Sequence, residues 1–299
     1  MKKQNLYALI AAFIWGTAFV AQSIGANTVT PFAFNMSRSF VATIFLLLVI
    51  LLLSIIKRKK SEPIKKTDNK KLFVGGALCG TALSVATAFQ QASLSDTAAG
   101  KAGFITALYI VIVPILSIFL KKHAPFTVWI SVIIAVIGLY FLCVKGGFSV
   151  GKSDILLILC AIVFSIQILL IDYFVAFVDG IKLSCVQFAT STVLSLIGML
   201  VFENFNFYTI INCALPILYL GIFSSGVAYT LQIIAQKNSN PTVITLLLSL
   251  ESVFSVISGS ILLGDKLSVR EYVGCFLMFL AVILAQLPTD LLLKLRKKY

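Results

Sequence analysis

Apolar and polar residues follow one another along this chain in long blocks, not in alternation from one residue to the next. A helix needs about 20 consecutive apolar residues to cross roughly 30 Å of hydrocarbon, whereas barrel strands alternate in polarity. The blocks therefore predict an all-α membrane protein with ten transmembrane helices. These spans, numbered 1 to 10, are expected at about 5–25, 32–56, 72–92, 97–120, 126–144, 154–175, 181–202, 212–236, 241–263 and 269–288.

A weak internal repeat relates two halves of the chain, 1–145 and 146–299. Each half contains five spans, and five is odd, so the second half must enter the membrane in the opposite orientation. The sequence thus predicts two inverted five-helix repeats, an arrangement in which many secondary transporters bind substrate near the midplane between the halves. Three pairs of matching residues are 149 positions apart: Trp15 with Phe164, Pro31 with Gly180, and Arg38 with Gln187. The dipeptides Ile105-Thr106 and Ile244-Thr245 also match and are 139 positions apart.

Basic residues outnumber acidic ones, and the net charge is +13. With both ends of the chain on one side, 18 basic residues fall on that side and 5 on the other, while Arg38 lies within span 2. Such a bias places the basic side in the cytoplasm. We therefore expect a multi-pass protein of the plasma membrane with cytoplasmic termini and no nucleic-acid partner. The first stretch is too long for a signal peptide and is kept as span 1.

Residues suited to metal binding or nucleophilic catalysis are scarce. His123 is the only histidine, and the six cysteines lack the spacing of metal ligands. Residues 146–153 read Gly-Gly-Phe-Ser-Val-Gly-Lys-Ser, which fits a phosphate-binding loop. That loop requires a preceding strand within a soluble domain, so we interpret these residues as a turn between spans 5 and 6. The sequence predicts no enzyme, no metal site and no cofactor.

Two charged residues lie inside predicted spans, where a charge is costly and is a functional hypothesis by default. Arg38 lies about six residues, roughly 9 Å, into span 2. It either snorkels outward or lines a cavity, where it would hold Glu251 or an anionic group of a substrate. Glu251 lies near the middle of span 9 and cannot snorkel. It would bind a substrate ammonium, carry a coupling proton, or pair structurally with another helix.

Uncharged polar and aromatic residues complete the candidate binding set. Glutamines within helices often just bond a neighbouring helix, and that alternative stays open for each of them. The set occupies spans 1 to 4 and 6 to 9, which predicts eight helices around a polar cavity with spans 5 and 10 outside it. Besides Arg38 and Glu251, the members are Trp15, Asn35, Gln90, Gln91, Tyr109, Gln167, Gln187, Tyr229 and Gln232.

Several short motifs occur along both halves of the chain. They are residues 11–19 (Ala-Ala-Phe-Ile-Trp-Gly-Thr-Ala-Phe), Thr30-Pro31-Phe32 leading to Arg38, Ala88-Phe89-Gln90, Asp96-Thr97-Ala98-Ala99, Pro114-Ile115, 250–254 (Leu-Glu-Ser-Val-Phe) and 262–267 (Leu-Leu-Gly-Asp-Lys-Leu). Together these motifs resemble the EamA-type members of the drug/metabolite transporter superfamily. The resemblance implies a ten-helix transporter of small metabolites, often an exporter of amino acids or related compounds. Ser252 and Asp265 depart from the family pattern, which has proline and glutamate there. The lost proline implies a span 9 that is less kinked than in relatives, whereas Pro114 predicts a bend in span 4.

These observations favour a secondary transporter that moves a small polar or amphipathic metabolite across the cytoplasmic membrane by alternating access. Opposite charges from Arg38 and Glu251 would suit an amino acid, and export is the expected direction. Other hypotheses are a transporter of another metabolite or drug class, and a membrane channel or structural subunit. The expected partners are a small-molecule substrate and the lipid bilayer, while proton coupling and a homodimer stay open.

Overall fold

The computed structural model describes residues 3–60, 68–93, 99–121, 124–144, 151–263 and 267–286, and this part of the chain is built from helices and their connections. His123, Asp265 and residues 146–150 of the phosphate-loop-like stretch lie outside it, whereas Gly151 of that stretch caps the helix that begins at Lys152. The helices are α1 (Lys3–Thr28), α2 (Pro31–Lys59), α3 (Asn69–Ser93), α4 (Ala99–Thr106), α5 (Tyr109–Phe119), α6 (Phe126–Cys143), α7 (Lys152–Phe174), α8 (Gly180–Phe202), α9 (Phe207–Asn212), α10 (Ala214–Tyr219), a π-helix (Leu220–Ala228), α11 (Tyr229–Gln236), α12 (Pro241–Leu248), α13 (Glu251–Leu263) and α14 (Val269–Gln286).

These helices reproduce the predicted spans. Within the described residues, nine segments are long and apolar enough to cross a membrane. Helix α1, with 26 residues, packs against several of them. Spans 4 and 9 each consist of two helices, and span 8 joins α10, the π-helix and α11. The all-helical, multi-span fold predicted from the apolar blocks is confirmed.

The second helix of each half begins at a matching position. Helix α2 begins at Pro31 and α8 begins at Gly180, with the same offset that separates Trp15 from Phe164. Contacts also correspond: α3 packs against α7 and α8, while span 8 packs against α1 and α2. Span 4 is interrupted at residues 107–108 and span 9 at residues 249–250. The sequence separation between these two interruptions is larger than that between the matched Ile-Thr dipeptides of the same spans. Aligning the two spans on the Ile-Thr dipeptides therefore does not align their interruptions.

The interruptions do not lie where proline alone would place them. Pro114 is within the continuous helix α5, and span 4 breaks at residues 107–108 instead. Span 9 is interrupted at residues 249–250 although Ser252 replaces the family's proline, so this interruption does not depend on proline. The Ser249 hydroxyl donates to the Leu246 carbonyl at 2.8 Å, and Leu250 N–H bonds Leu247 three residues back. Serine hydroxyls that bond the preceding turn compete with the helical pattern.

Small residues let the helices approach one another closely. A Cβ added to Gly80 in α3 would lie 2.5 Å from the Gln187 carbonyl oxygen of α8. Glycines at such positions permit backbone-to-backbone packing within a membrane. In the same way, Gly138 of α6 lies against the backbone of Gly274 in α14. Close packing therefore joins α3 to the second half and pairs α6 with α14.

A carboxylate fastens the first half to the second at one end of the bundle. Glu203, which follows α8, accepts hydrogen bonds from the N–H groups of Phe32 at 2.7 Å and Ala33 at 3.0 Å. These donors belong to the first turn of α2, where no N–H has an acceptor within the helix. Thr30, at the local capping position, makes no side-chain cap. The N-terminus of α2 is thus capped by the Glu203 carboxylate, which is 170 residues from Ala33 in the sequence.

Candidate functional site

A cavity lies between the helices, with about 620 Å³ of empty space that includes a part open to solvent. In the described part of the chain its walls come from spans 1 to 4, 6, 8 and 9, and no wall residue belongs to α6, α8 or α14. Helices α6 and α14, which form spans 5 and 10, pack against each other outside the cavity, as expected. The expectation that eight helices surround the cavity is wrong for span 7, because Gln187 of α8 bonds Gln167 of α7 and does not face the cavity.

Most of the predicted binding set meets at this cavity. The eight members that line it are Trp15, Arg38, Gln90, Tyr109, Gln167, Tyr229, Gln232 and Glu251. They are contributed by helices far apart in sequence, so only the tertiary structure brings them together.

Three predicted members do not line the cavity. Asn35 is 1% exposed, and neither atom of its side-chain amide has a hydrogen-bond partner. Gln91 accepts from Gln22 Nε2 at 3.4 Å, and Gln187 accepts from Gln167 Nε2 at 3.1 Å. Gln91 and Gln187 therefore make the interhelical hydrogen bonds that were left open as the alternative.

Seven further residues of the lining were not in the predicted set. Helical spacing would have found some of them: from Trp15, steps of three and seven residues reach Ala18 and Gln22, which share one face of α1. The apolar ones carry no chemical signal in the sequence. The seven are Ala18, Gln22, Thr106, Phe164, Ile168, Ser224 and Leu248.

Arg38 is directed into the bundle. It is 6% exposed and lines the cavity, so it does not snorkel to the surface. In the described residues no side chain or carbonyl accepts a hydrogen bond from its guanidinium, and it forms no ion pair with Glu251. Its electrostatic neighbour is the hydroxyl of Tyr229. A buried cation without a counter-charge is expensive, which marks the cavity as the place where its partner would bind.

Glu251 and Tyr109 occupy equivalent places beside the two helix interruptions. Each is the first residue of its helix after the break, Tyr109 in α5 and Glu251 in α13. Their side chains interact electrostatically, although the Tyr109 hydroxyl has no hydrogen-bond partner. The residues that end the preceding helices, Thr106 and Leu248, also line the cavity. Both interruptions thus lie at its wall.

Tyr229 lies between the two charged groups. It interacts electrostatically with both Arg38 and Glu251, which form no ion pair with each other in the described residues. Its ring packs edge-on against Trp15, with centroids 4.7 Å apart. The Trp15 indole N–H donates to the Ser224 carbonyl at 3.3 Å. Ring packing and hydrogen bonding therefore hold the aromatic part of the cavity wall in place.

A π-helix sets the position of Tyr229. Residues Leu220–Ala228 follow the wider π pattern, and the Tyr229 N–H bonds the Ser224 carbonyl five residues back. Short π segments in α-helices often mark functional positions. Nothing in the local sequence predicts this one; Gly221 and Gly226 within it lie against Val41 and Phe45 of α2.

Comparison with known proteins places this arrangement among membrane transporters. The model of the EamA-like transporter family matches residues 2–144 and again 151–287. A protein of Archaeoglobus fulgidus named "Uncharacterized transporter" is 32% identical over 289 residues, which are 95% of this chain and 87% of the relative. Another "Uncharacterized transporter", from Clostridium kluyveri, is 24% identical over 297 residues, covering 95% and 93%.

The fold also resembles a solved structure. A chain described as "Crystal structure of protein" superposes with a TM-score of 0.78, covering 95% of this chain and 96% of that one. Its sequence identity is 18%, so the likeness concerns the fold alone.

Proposed function

The chain belongs to the EamA-like transporter family, and we propose that it is a secondary transporter of amino acids or related zwitterions, working as an exporter. The observation that carries this proposal is one cavity wall that holds an unpaired cation and a carboxyl group. Arg38 and Glu251 both line the cavity without forming an ion pair. A zwitterion would supply a counter-charge for each of them.

The chemistry of the cavity wall supports an amphipathic substrate. Trp15, Phe164 and Tyr229 form an apolar part of the wall. Gln232, which is 2% exposed, has a side-chain oxygen without a partner. An amphipathic molecule with polar groups at one end would meet both parts.

Alternating access is the proposed mechanism, and the two halves of the chain, 1–145 and 146–299, are its moving units. Five spans in each half would give them opposite orientations in the membrane, so each half could open the cavity to one side in turn. The basic bias of the loops supports cytoplasmic termini in the plasma membrane. Glu251 is our candidate for carrying a coupling proton, and Tyr229 and Tyr109 are the groups it faces.

Counterflow in proteoliposomes tests the proposal. Liposomes loaded with each unlabelled amino acid should take up the same labelled amino acid, and the rate should saturate. A rate that rises without saturation indicates a channel, and no uptake for any amino acid contradicts the substrate class.

Two variants with matched controls connect this transport to the cavity. Arg38→Ala removes charge-assisted hydrogen bonds of about 1.5–3 kcal/mol, so the concentration for half-maximal counterflow should rise at least about tenfold. Glu251→Gln should abolish either ammonium binding or proton coupling.

The matched controls are Arg270→Ala and Glu271→Gln. Neither residue lines the cavity, and Arg270 lies over the ring of Tyr140, so both variants should retain transport. Glu251→Gln with unchanged transport at every pH excludes both roles of that carboxyl.

A further inference from the structure

The repeat allows the two halves of the cavity wall to be compared residue by residue. The offset between the starts of α2 and α8, at Pro31 and Gly180, also pairs Trp15 with Phe164 and Ala18 with Gln167. All four of these residues line the cavity. The same offset pairs Arg38 with Gln187. Ala18 with Arg38 and Gln167 with Gln187 are thus two versions of one residue pair, the first between α1 and α2 and the second between α7 and α8.

In the second half this contact is closed by a hydrogen bond. Gln167 Nε2 donates to Gln187 Oε1 at 3.1 Å, and both residues are fully buried. Gln187 therefore does not reach the cavity, although its counterpart Arg38 does.

In the first half the contact lacks that bond. The counterpart of Gln167 is Ala18, whose methyl group cannot accept a hydrogen bond. Within the described residues Arg38 has no acceptor from any other side chain either. Both Ala18 and Arg38 line the cavity, with 3% and 6% of their surfaces exposed. The small residue leaves the guanidinium open towards the cavity.

We propose that Ala18 is a specificity-determining residue, which keeps Arg38 available for a carboxylate group of the substrate. A planar guanidinium binds a carboxylate through two parallel hydrogen bonds, which gives geometric selectivity as well as affinity. The Gln167–Gln187 pair is the hydrogen-bonded version of the same residue pair. This inference rests on the proposed function and narrows the substrate class to carboxylate-bearing molecules.

Arginine-specific modification tests the inference without any knowledge of the substrate. Purified protein in detergent is treated with phenylglyoxal, and modification of Arg38 is followed by peptide mass spectrometry, with acetate as the carboxylate probe. Wild-type Arg38 should react, and acetate should protect it. Ala18→Gln supplies an amide oxygen beside the guanidinium, so the reaction of Arg38 should slow about tenfold, as expected for a hydrogen bond to a charged group.

Ala214→Gln is the matched control, because it makes the same substitution at an exposed residue outside the cavity lining and should leave the rate at Arg38 unchanged. If Ala18→Gln does not give a monodisperse protein, the shorter Ala18→Asn replaces it and should also slow the reaction. Equal rates in wild type and the Ala18 variant, a wild-type Arg38 that resists phenylglyoxal, or acetate without effect would each overturn the inference.

The two proposals fail in different ways. If acetate protects Arg38 and Ala18→Gln slows its reaction, but no amino acid shows counterflow, then the anion subsite stands and the proposed substrate class fails. If amino acids are transported while the Ala18 variant reacts like wild type, the proposed function stands and the role of Ala18 fails.

Discussion

Replacing Arg38 with methionine is expected to make the protein more stable and to weaken its binding of the transported substrate. Methionine keeps a long unbranched side chain, so the packing of the aliphatic stem is largely retained, while the charge is lost. The guanidinium is 6% exposed, and no described residue forms an ion pair with it. The folded protein therefore bears the cost of an uncompensated cation, which the substitution removes.

The size of the effect follows from the position of the charge. An arginine at the centre of a membrane helix costs about 2.5–3.5 kcal/mol on insertion scales. Arg38 lies seven residues into α2, roughly 10 Å from its start, and water in the cavity offsets part of the cost. We expect a gain of about 1–3 kcal/mol in the free energy of unfolding. At about 2–4 °C per kcal/mol, the unfolding temperature should rise by about 2–12 °C.

Thermal unfolding of the purified protein in detergent, followed by intrinsic fluorescence, measures this change. The matched control is Gln187→Met, at the corresponding place in the second half. It removes the acceptor of the Gln167 Nε2 hydrogen bond, and an unsatisfied buried donor costs about 1–3 kcal/mol. The two substitutions to methionine should therefore shift the unfolding temperature in opposite directions.

The result that would refute this reasoning is a loss of stability in Arg38→Met. Removing one partner of a buried ion pair costs about 3–5 kcal/mol, so a fall of that size would mean that Arg38 is paired within the protein. A stabilised variant that still transports with wild-type kinetics would separate Arg38 from substrate binding and contradict the proposed function instead.

Three further predictions address packing, capping and topology. Gly16→Ala should lower the unfolding temperature, because the new Cβ would lie 2.8 Å from the Phe254 backbone and overpacking costs about 1–3 kcal/mol. Gly103→Ala should leave the unfolding temperature unchanged, because its Cβ would meet nothing within 4 Å. An equal fall in the unfolding temperature of both variants would contradict the close packing of Gly16 against Phe254. Glu203→Ala should cost about 1–2 kcal/mol by uncapping α2, and wild-type stability would show that water replaces the cap. A cysteine introduced by Lys60→Cys, at an exposed residue after α2, should react with an impermeant maleimide only in opened cells; reaction in intact cells would reverse the proposed orientation.

Much of the fold could be predicted from the sequence because the bilayer constrains length so strongly. Apolar runs of the right length predicted ten spans, and the observed helices begin and end within a few residues of them. The charges of Arg38 and Glu251 predicted a polar cavity, because a charged side chain in contact with hydrocarbon is energetically costly. Eight of the eleven predicted binding residues line that cavity.

Helix interruptions were predicted less well. Proline at 114 drew attention to the middle of span 4, but the break lies at residues 107–108, and span 9 breaks without proline. Hydroxyl groups such as that of Ser249 reshape the backbone through local bonds, and serine is too common in helices to serve as a signal. The π-helix before Tyr229 likewise depends on close contact between Gly221 and Val41 of another helix.

By itself, the sequence determined the all-helical, multi-span fold and identified the charged residues that need a place inside the bundle. The tertiary structure alone decided which polar residues face that cavity. Gln167 lines it and Gln187 does not, although both are glutamines near the middle of apolar helices. A helix that is apolar on every side has no periodic pattern to fix its rotation, so contacts between distant helices determine which side chains point inward.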